Sequence, residues 1–328
     1  MVPTRYTAAL SALALTAALA GCAGAPGSDD TSAPSADFAP VTLDNCGEKV
    51  EVTTAPTKLV TLNQGATEVA LALGLQDRMA GTAYLDDEIS PQWDDQYHEV
   101  SVLAKEYPTK EKFLAADPDL AYAAYSSAFT DKAVGTRDEL KSEGINSYLS
   151  PFGCPEGEKK ADPTFESAWE EIRQVGQLFG VTDRADDVID QQKKELDGIR
   201  QEAPGKDFTV FWFDSGDKTP FVGAGGGGPQ LILDAVGATN VFADLEGGWA
   251  DGTWEKVVEA NPEVIVLAEA SWSSAQSKQK YLESDPVLKD LDAVKAKRYI
   301  VVPFSATTPG VRLVEGAQTV AKGLAERS

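Results

Sequence analysis

The chain has 328 residues, with 52 Asp or Glu against 29 Lys or Arg, and a formal net charge of −23. That balance disfavours nucleic-acid binding, which needs clustered Lys and Arg against phosphates. His98 is the single histidine, so a multi-His zinc or manganese site within the chain is excluded. The acidity reads most simply as solubility outside the cell, with an acidic recruitment surface as the alternative.

Arg5 is the only charge before an apolar run from Ala8 to Ala20, which is too short to span a bilayer as a mature helix. Leu19-Ala20-Gly21-Cys22 follows, in the form of a lipobox whose cleavage leaves Cys22 free to carry lipid. A signal peptide with an incidental cysteine is the plainer alternative. Residues 1–21 are therefore expected to be a lipoprotein signal. Residues 22–39 are expected to be a lipid-anchored flexible tether, built almost wholly from Gly, Ala, Pro, Ser, Thr and Asp. About 290 residues remain, enough for two modest domains. Cys46 and Cys154 survive beside Cys22; in an oxidising compartment such a pair is most simply a disulfide, with two free thiols as the alternative. The bridge would tie the first strand to the end of the first lobe.

In residues 40–163, short β-rich runs alternate with helical ones. Lys58–Leu62 reads as a buried strand, and Thr67–Leu73 as a helix that Gly74 stops. Met79–Thr82, Leu120–Ala123 and Asn146–Leu149 read as further strands. Residues 164–203 are almost continuously helical, broken near Gly180-Val181-Thr182-Asp183, with Thr182 or Asp183 as the cap of the second half. Phe165, Trp169, Ile172, Val175 and Phe179 recur there at helical spacing and read as core. Pro204-Gly205 ends the helix, and residues 204–328 return to alternation. Phe208–Phe213, Val264–Leu267 and Tyr299–Val302 read as strands, 229–236 and 311–325 as helices. The expected fold is α/β: two lobes with central, mostly parallel sheets, joined by a single long interdomain helix.

Two stretches echo each other. Thr109-Lys110-Glu111-Lys112 through Ala116-Asp117-Pro118-Asp119-Leu120 reads against Thr253-Trp254-Glu255-Lys256 through Ala260-Asn261-Pro262-Glu263-Val264. Beyond them, Ser150-Pro151-Phe152 matches Val302-Pro303-Phe304. Chance likeness of two helix–Pro–strand units is one reading. Two related lobes with a cleft between them, where small molecules bind, is the other.

At Val60-Thr61-Leu62-Asn63-Gln64-Gly65-Ala66-Thr67-Glu68-Val69, followed by Leu71-Ala72-Leu73-Gly74-Leu75-Gln76-Asp77-Arg78, the chain resembles a known family. It is similar to the substrate-binding lipoproteins of ABC importers for ferric siderophores, cobalamin and haem. The resemblance continues through Asp117-Pro118-Asp119-Leu120 to Arg298-Tyr299-Ile300-Val301-Val302; Asn63-Gln64-Gly65 departs from the Ser-Pro-Ser often found at that loop. It implies two α/β lobes bridged by a rigid helix and a monomeric protein anchored to the outer face of the cell membrane. It also implies delivery of a small ligand to a permease dimer with its ATPase subunits, and no covalent chemistry or cofactor. Glu111 and Glu255 match the one glutamate per lobe that docks on the permease, although a Glu in a first turn is favoured by the helix dipole anyway. Val41–Gly47, Tyr148–Pro151, Thr219–Gly225 and Pro303–Thr307 further resemble a subgroup proposed to import a deazaflavin-cofactor precursor.

For the ligand itself, Tyr84, Tyr125, Trp212, Trp249, Trp272 and Phe304 sit at expected strand ends and loops, where a flat conjugated molecule could stack; each could equally be core. Asn63, Ser126 and Ser127 could add polar contacts, and Arg312 could pair with a carboxylate or phosphate. Gly225 and Gly226, in a run that leads into a helix, could bring backbone N–H groups to an anion or could be a plain connection. The resulting expectation is an extracytoplasmic solute-binding protein for a mid-sized polar conjugated ligand: a deazaflavin-type precursor, a ferric siderophore or cobalamin. The alternative is a secreted enzyme, or a haem- or metal-chelate-binding protein, on the same fold. No Gly-x-Ser-x-Gly elbow supplies a hydrolase nucleophile.

Overall fold

In the computed structural model, residues 38–327 are described. The expected signal, the Cys22 lipidation site and nearly all of the tether lie outside them. The described chain opens with an antiparallel hairpin of β1 (Val41–Asn45) and β2 (Glu48–Val52). Its two turn residues, Cys46 and Gly47, have φ 50° and 80°, the twist that matches a tight hairpin. Then come β3 (Leu59–Leu62), α1 (Gln64–Ala72), β4 (Met79–Ala83), α2 (Asp94–His98) and β5 (Val102–Ala104). The lobe closes with α3 (Lys110–Ala115), β6 (Leu120–Ala123), α4 (Arg137–Ser142) and β7 (Asn146–Leu149). Its sheet has the order β5-β4-β3-β6-β7, every pair parallel. All residues of β3 and β6 are buried, as expected of parallel strands covered on both faces.

Two helices follow. Thr164 opens α5 (Phe165–Phe179) with a capping box, and Gly180 closes it at φ 67°. α6 (Thr182–Glu202) begins after Val181 without a side-chain cap, so Thr182 and Asp183 lie inside its first turn rather than at its cap. Asp183 there still meets the positive end of the helix. At 21 residues α6 is about 32 Å long and carries the chain to the second sheet.

The second lobe comprises β8 (Thr209–Ser215), β9 (Phe221–Gly223), α7 (Gly228–Val236), β10 (Thr239–Asn240), β11 (Trp249–Asp251) and α8 (Trp254–Ala260). It ends with β12 (Val264–Glu269), α9 (Ala275–Ser284), α10 (Asp292–Lys295), β13 (Tyr299–Pro303) and α11 (Leu313–Ala325). The sheet order is β11-β9-β8-β12-β13, with β10 also beside β8. β8, β10, β12 and β13 pair in parallel, while β9 and β11 form an antiparallel edge. The expected two-lobed α/β architecture with parallel central sheets is therefore the one observed.

One core runs through both lobes, drawing Leu59 and Tyr122 from the first sheet, Leu178 and Leu196 from α5 and α6, and Trp212, Ile232 and Val320 from the second lobe. Smaller cores fill the other face of each sheet, around Phe113 in the first lobe and around Phe211, Phe213 and Phe242 in the second.

The echoed segments occupy equivalent places. Thr109 and Thr253 cap α3 and α8, each hydroxyl accepting from a backbone N–H three residues on at 3.3 Å. Asp117 and Asn261, each before a proline, take left-handed backbone at φ 51° and 41°. The closing acids then grip the start of the central strand. Asp119 accepts from the backbone N–H groups of Thr57 and Lys58 at 2.7 and 3.1 Å, and Glu263 from that of Thr209 at 2.7 Å. The order β3-β6-β7 in one sheet thus corresponds to β8-β12-β13 in the other.

Candidate functional site

Parallel strands that end together create a crevice at their carboxyl edge. Here both sheets turn such an edge toward the same cavity, of about 270 Å³. From the first lobe it is lined by Ala124 and Tyr125 after β6, Ser150 and Phe152 after β7, and Asp86 after β4. The second lobe contributes Trp249 at the start of β11 and Phe304 and Ser305 after β13. Phe152 and Phe304, the last residues of the echoed Pro-Phe pairs, therefore face one space. An open groove of about 900 Å³ lies elsewhere, along α9. It is lined from the second lobe alone and by polar side chains, and offers no enclosure.

The second-lobe wall is a run of aromatic rings. Trp249 lies between Phe221, at 6.3 Å and 18°, and Phe304, at 5.7 Å and 25°. Trp272 meets the Phe304 ring edge-on at 4.9 Å and is itself 55 % exposed, at the rim. Among the stacking candidates from sequence, Tyr125, Trp249 and Phe304 line the cavity and Trp272 borders it.

The remaining candidates lie elsewhere. Trp212 is fully buried in the shared core, because β8 continues to Ser215 and places the strand end three residues later. Arg312 is 3 % exposed and engaged by Glu68 at 3.2 Å, Glu315 at 2.6 Å and the Ser305 hydroxyl at 2.6 Å, so its guanidinium is not available to a ligand. The backbone N–H groups of Gly225 and Gly226 donate to the carbonyls of Leu245 and Gly247 at 3.0 and 2.8 Å, so this run ties two loops together and offers no anion cradle from those residues. Asn63 is fully buried behind Tyr125, donating to the Tyr107 hydroxyl at 2.9 Å. Tyr84 packs edge-on against Tyr107 at 4.7 Å and lines a separate hollow with Tyr97 and Val102. Ser126 and Ser127 line a different hollow, with Cys46 and Phe129, and Ser127 pairs with the Tyr107 hydroxyl at 2.8 Å.

The sequence candidates account for only Tyr125, Trp249 and Phe304 of the cavity lining, and three of the lining residues they omit matter most for its chemistry. Glu171, on α5, is 3 % exposed and accepts from the Tyr122 hydroxyl at 2.6 Å. Burial pushes its carboxyl up to about 7, against the pull of the Tyr122 and Ser150 hydroxyls. Asp86, 6 % exposed, is pushed up to about 6 by burial and by Asp87 beside it. Phe152 is the third; its place in the echo was the available signal. None of the lining residues is Lys, Arg or His.

Beside the cavity the lobes are pinned together. Asp87 accepts from the backbone N–H and hydroxyl of Ser305 at 2.8 and 2.7 Å, and Ser90 donates to Glu315 at 2.9 Å. Arg312 crosses to Glu68, whose carboxyl burial pushes up against that cation's pull. The disulfide expected between Cys46 and Cys154 is present, with Cα atoms 5.2 Å apart, directly after the cavity-lining Gly153. Among the described residues no helix is long and apolar enough to cross a membrane, and no group of three His, Cys, Asp or Glu is arranged around a metal position.

Residues 59–306 match the family model described as periplasmic binding protein. The chain belongs to that family. This periplasmic binding protein is similar to an uncharacterized ABC transporter substrate-binding lipoprotein, YvrC, of Bacillus subtilis, at 27 % identity over 90 % of this chain and 89 % of that one. It is also similar to the vitamin B12-binding protein of Vibrio parahaemolyticus, at 22 % identity over 71 % of this chain and 78 % of that one. Among solved structures, a periplasmic binding protein from Veillonella parvula superposes with a TM-score of 0.74 and 32 % identity, over 87 % of this chain and 97 % of its own. An ABC-type Fe3+-hydroxamate transport protein from Saccharomonospora viridis shares the fold, with a TM-score of 0.71 and 22 % identity over 87 % and 98 % of the two chains. The family resemblance read from the sequence is thus the right one.

Proposed function

We propose that this periplasmic binding protein is the extracytoplasmic capture component of an ABC importer, held to the membrane by lipid on Cys22. It takes a mid-sized, polar, conjugated molecule into the interlobe cleft and hands it to a permease dimer. The observation that carries the reading is the aromatic wall of Trp249 and Phe304 facing Tyr125 across one cavity fed by both sheets. Stacked rings offer a flat ligand large contact area at low cost in side-chain freedom. A volume of about 270 Å³ lies at the lower edge of ordinary ligand pockets. A flat bicycle or tricycle matches that space; a corrinoid or a ferric siderophore would need the lobes to part.

The test is an ultraviolet–visible spectrum of protein lacking residues 1–22, exposed to extract of the host and desalted. Wild type is expected to retain a chromophore absorbing beyond the protein band. Trp249→Ala and Phe304→Ala should each weaken retention by about tenfold, the worth of one lost aromatic face. Equal retention by both variants would place the ligand outside this cleft.

A further inference from the structure

A buried carboxyl with no cation beside it is costly to keep, and the cleft holds two. Glu171 has only hydroxyl partners, Tyr122 and Ser150. Asp86 faces the Tyr125 hydroxyl at 3.4 Å, with Asp87 next to it. The basic groups nearby are committed elsewhere. Arg312 is engaged by Glu68, Glu315 and Ser305 behind the cleft wall, and the Lys278 ammonium donates to the carbonyls of Ala268 and Ser273. The same cavity presents the faces of Trp249, Phe304, Phe152 and Tyr125, and aromatic faces carry negative potential. The two carboxyls and the aromatic faces of the lining therefore point the same way in charge, no lining side chain is basic, and Gly225 and Gly226 offer no compensating anion site.

We infer that the cleft selects its ligand by positive charge: the conjugated ring system it holds is a cation edged with amino N–H donors, which meet Glu171 and Asp86 while the ring stacks on the aromatic wall. The inference rests on the reading of the cleft as the ligand site. A phosphate or carboxylate on the same edge would meet like charge in a poorly solvated space and be refused.

The experiment compares two flat tricycles of opposite charge at pH 8, proflavine as the cation and acridine-9-carboxylate as the anion, by fluorescence titration of the soluble protein. Proflavine is expected to bind at least about tenfold more tightly than the carboxylate, and Glu171→Gln and Asp86→Asn should each weaken it by about fivefold or more. Glu166→Gln removes the same charge from the exposed face of α5 and should change nothing, which separates cleft selection from the general acidity of the chain. If the anion binds as well as the cation and Trp249→Ala abolishes both, the cleft is the site but charge selection falls. Unchanged proflavine affinity in both carboxamide variants likewise overturns charge selection. If neither probe binds, or binding ignores Trp249→Ala, the cleft reading falls and the inference with it.

Discussion

Glu171 ties chemistry to stability. Its carboxyl titrates near 7 in the fold, against 4.5 ordinarily, so the folded chain holds that proton more tightly than the unfolded one. The stability that Glu171 contributes is then fully present below pH 4.5, falls as pH rises from there to about 7, and changes no further above that. The total is on the order of 3 kcal/mol for a shift of this size. Glu171→Gln keeps the shape and removes the charge. The variant should melt higher than wild type at pH 8 and nearly with it at pH 4.5; equal melting at pH 8 would show that the charged carboxyl is no burden to the fold. The variant that stabilises the fold is also the one expected to bind the cationic probe less well, the usual conflict at functional sites. Glu171 escaped a reading of the sequence because it sits on the same face of α5 as Ala168, Ile172 and Val175, a stripe whose periodicity announces core. Trp212 misled in the opposite sense. On a strand buried on both faces, alternation sends Phe211 and Phe213 to one core and Trp212 to the other, and none of the three reaches the strand end.

Among the elements, those with short apolar runs between breakers were legible. β6, β7, β12 and β13 fall where the sequence placed them within two residues, because a covered parallel strand demands continuous apolar side chains. α1 was read three residues short at its start, since Gln64-Gly65-Ala66 carries no cap signal and the helix begins after Asn63 at φ 81°. The edge strands β9 and β11 were not read at all: each has three residues, too few for a period to declare itself. The echo was legible in full, and its acids turn out to be mechanical. Asp119→Ala and Glu263→Ala each remove charge-assisted bonds to the first backbone groups of a central strand. Each should cost about 1–2 kcal/mol, and the double variant should show the sum, because the two sites lie in different lobes. Urea midpoints measure this; a double variant no worse than either single one would show that the grips are not independent.

Across the whole molecule, the repeat sets Glu111 and Glu255 at matching places just inside α3 and α8, both exposed. A receptor that presents one carboxylate per lobe suits a partner with twofold symmetry. Replacing both with Ala should abolish uptake in cells while leaving proflavine affinity of the purified protein unchanged. Normal transport, or weakened binding, would remove the docking role. The shared core and the Arg312–Glu68 pair join the two lobes, which would keep Glu111 and Glu255 at a fixed spacing for such a partner. Under the proposed anchorage through Cys22, the Cys46–Cys154 bridge has a mechanical consequence. It closes the chain across a sequence separation of 108, a ring that contains β3 to β7 and so the entire first sheet. A pull entering through the tether reaches Cys46 and passes by covalent bonds to Cys154, leaving that sheet outside the line of tension. The sheet nearest the proposed anchor would thereby be shielded from traction on it, with only β1 left in the line of pull.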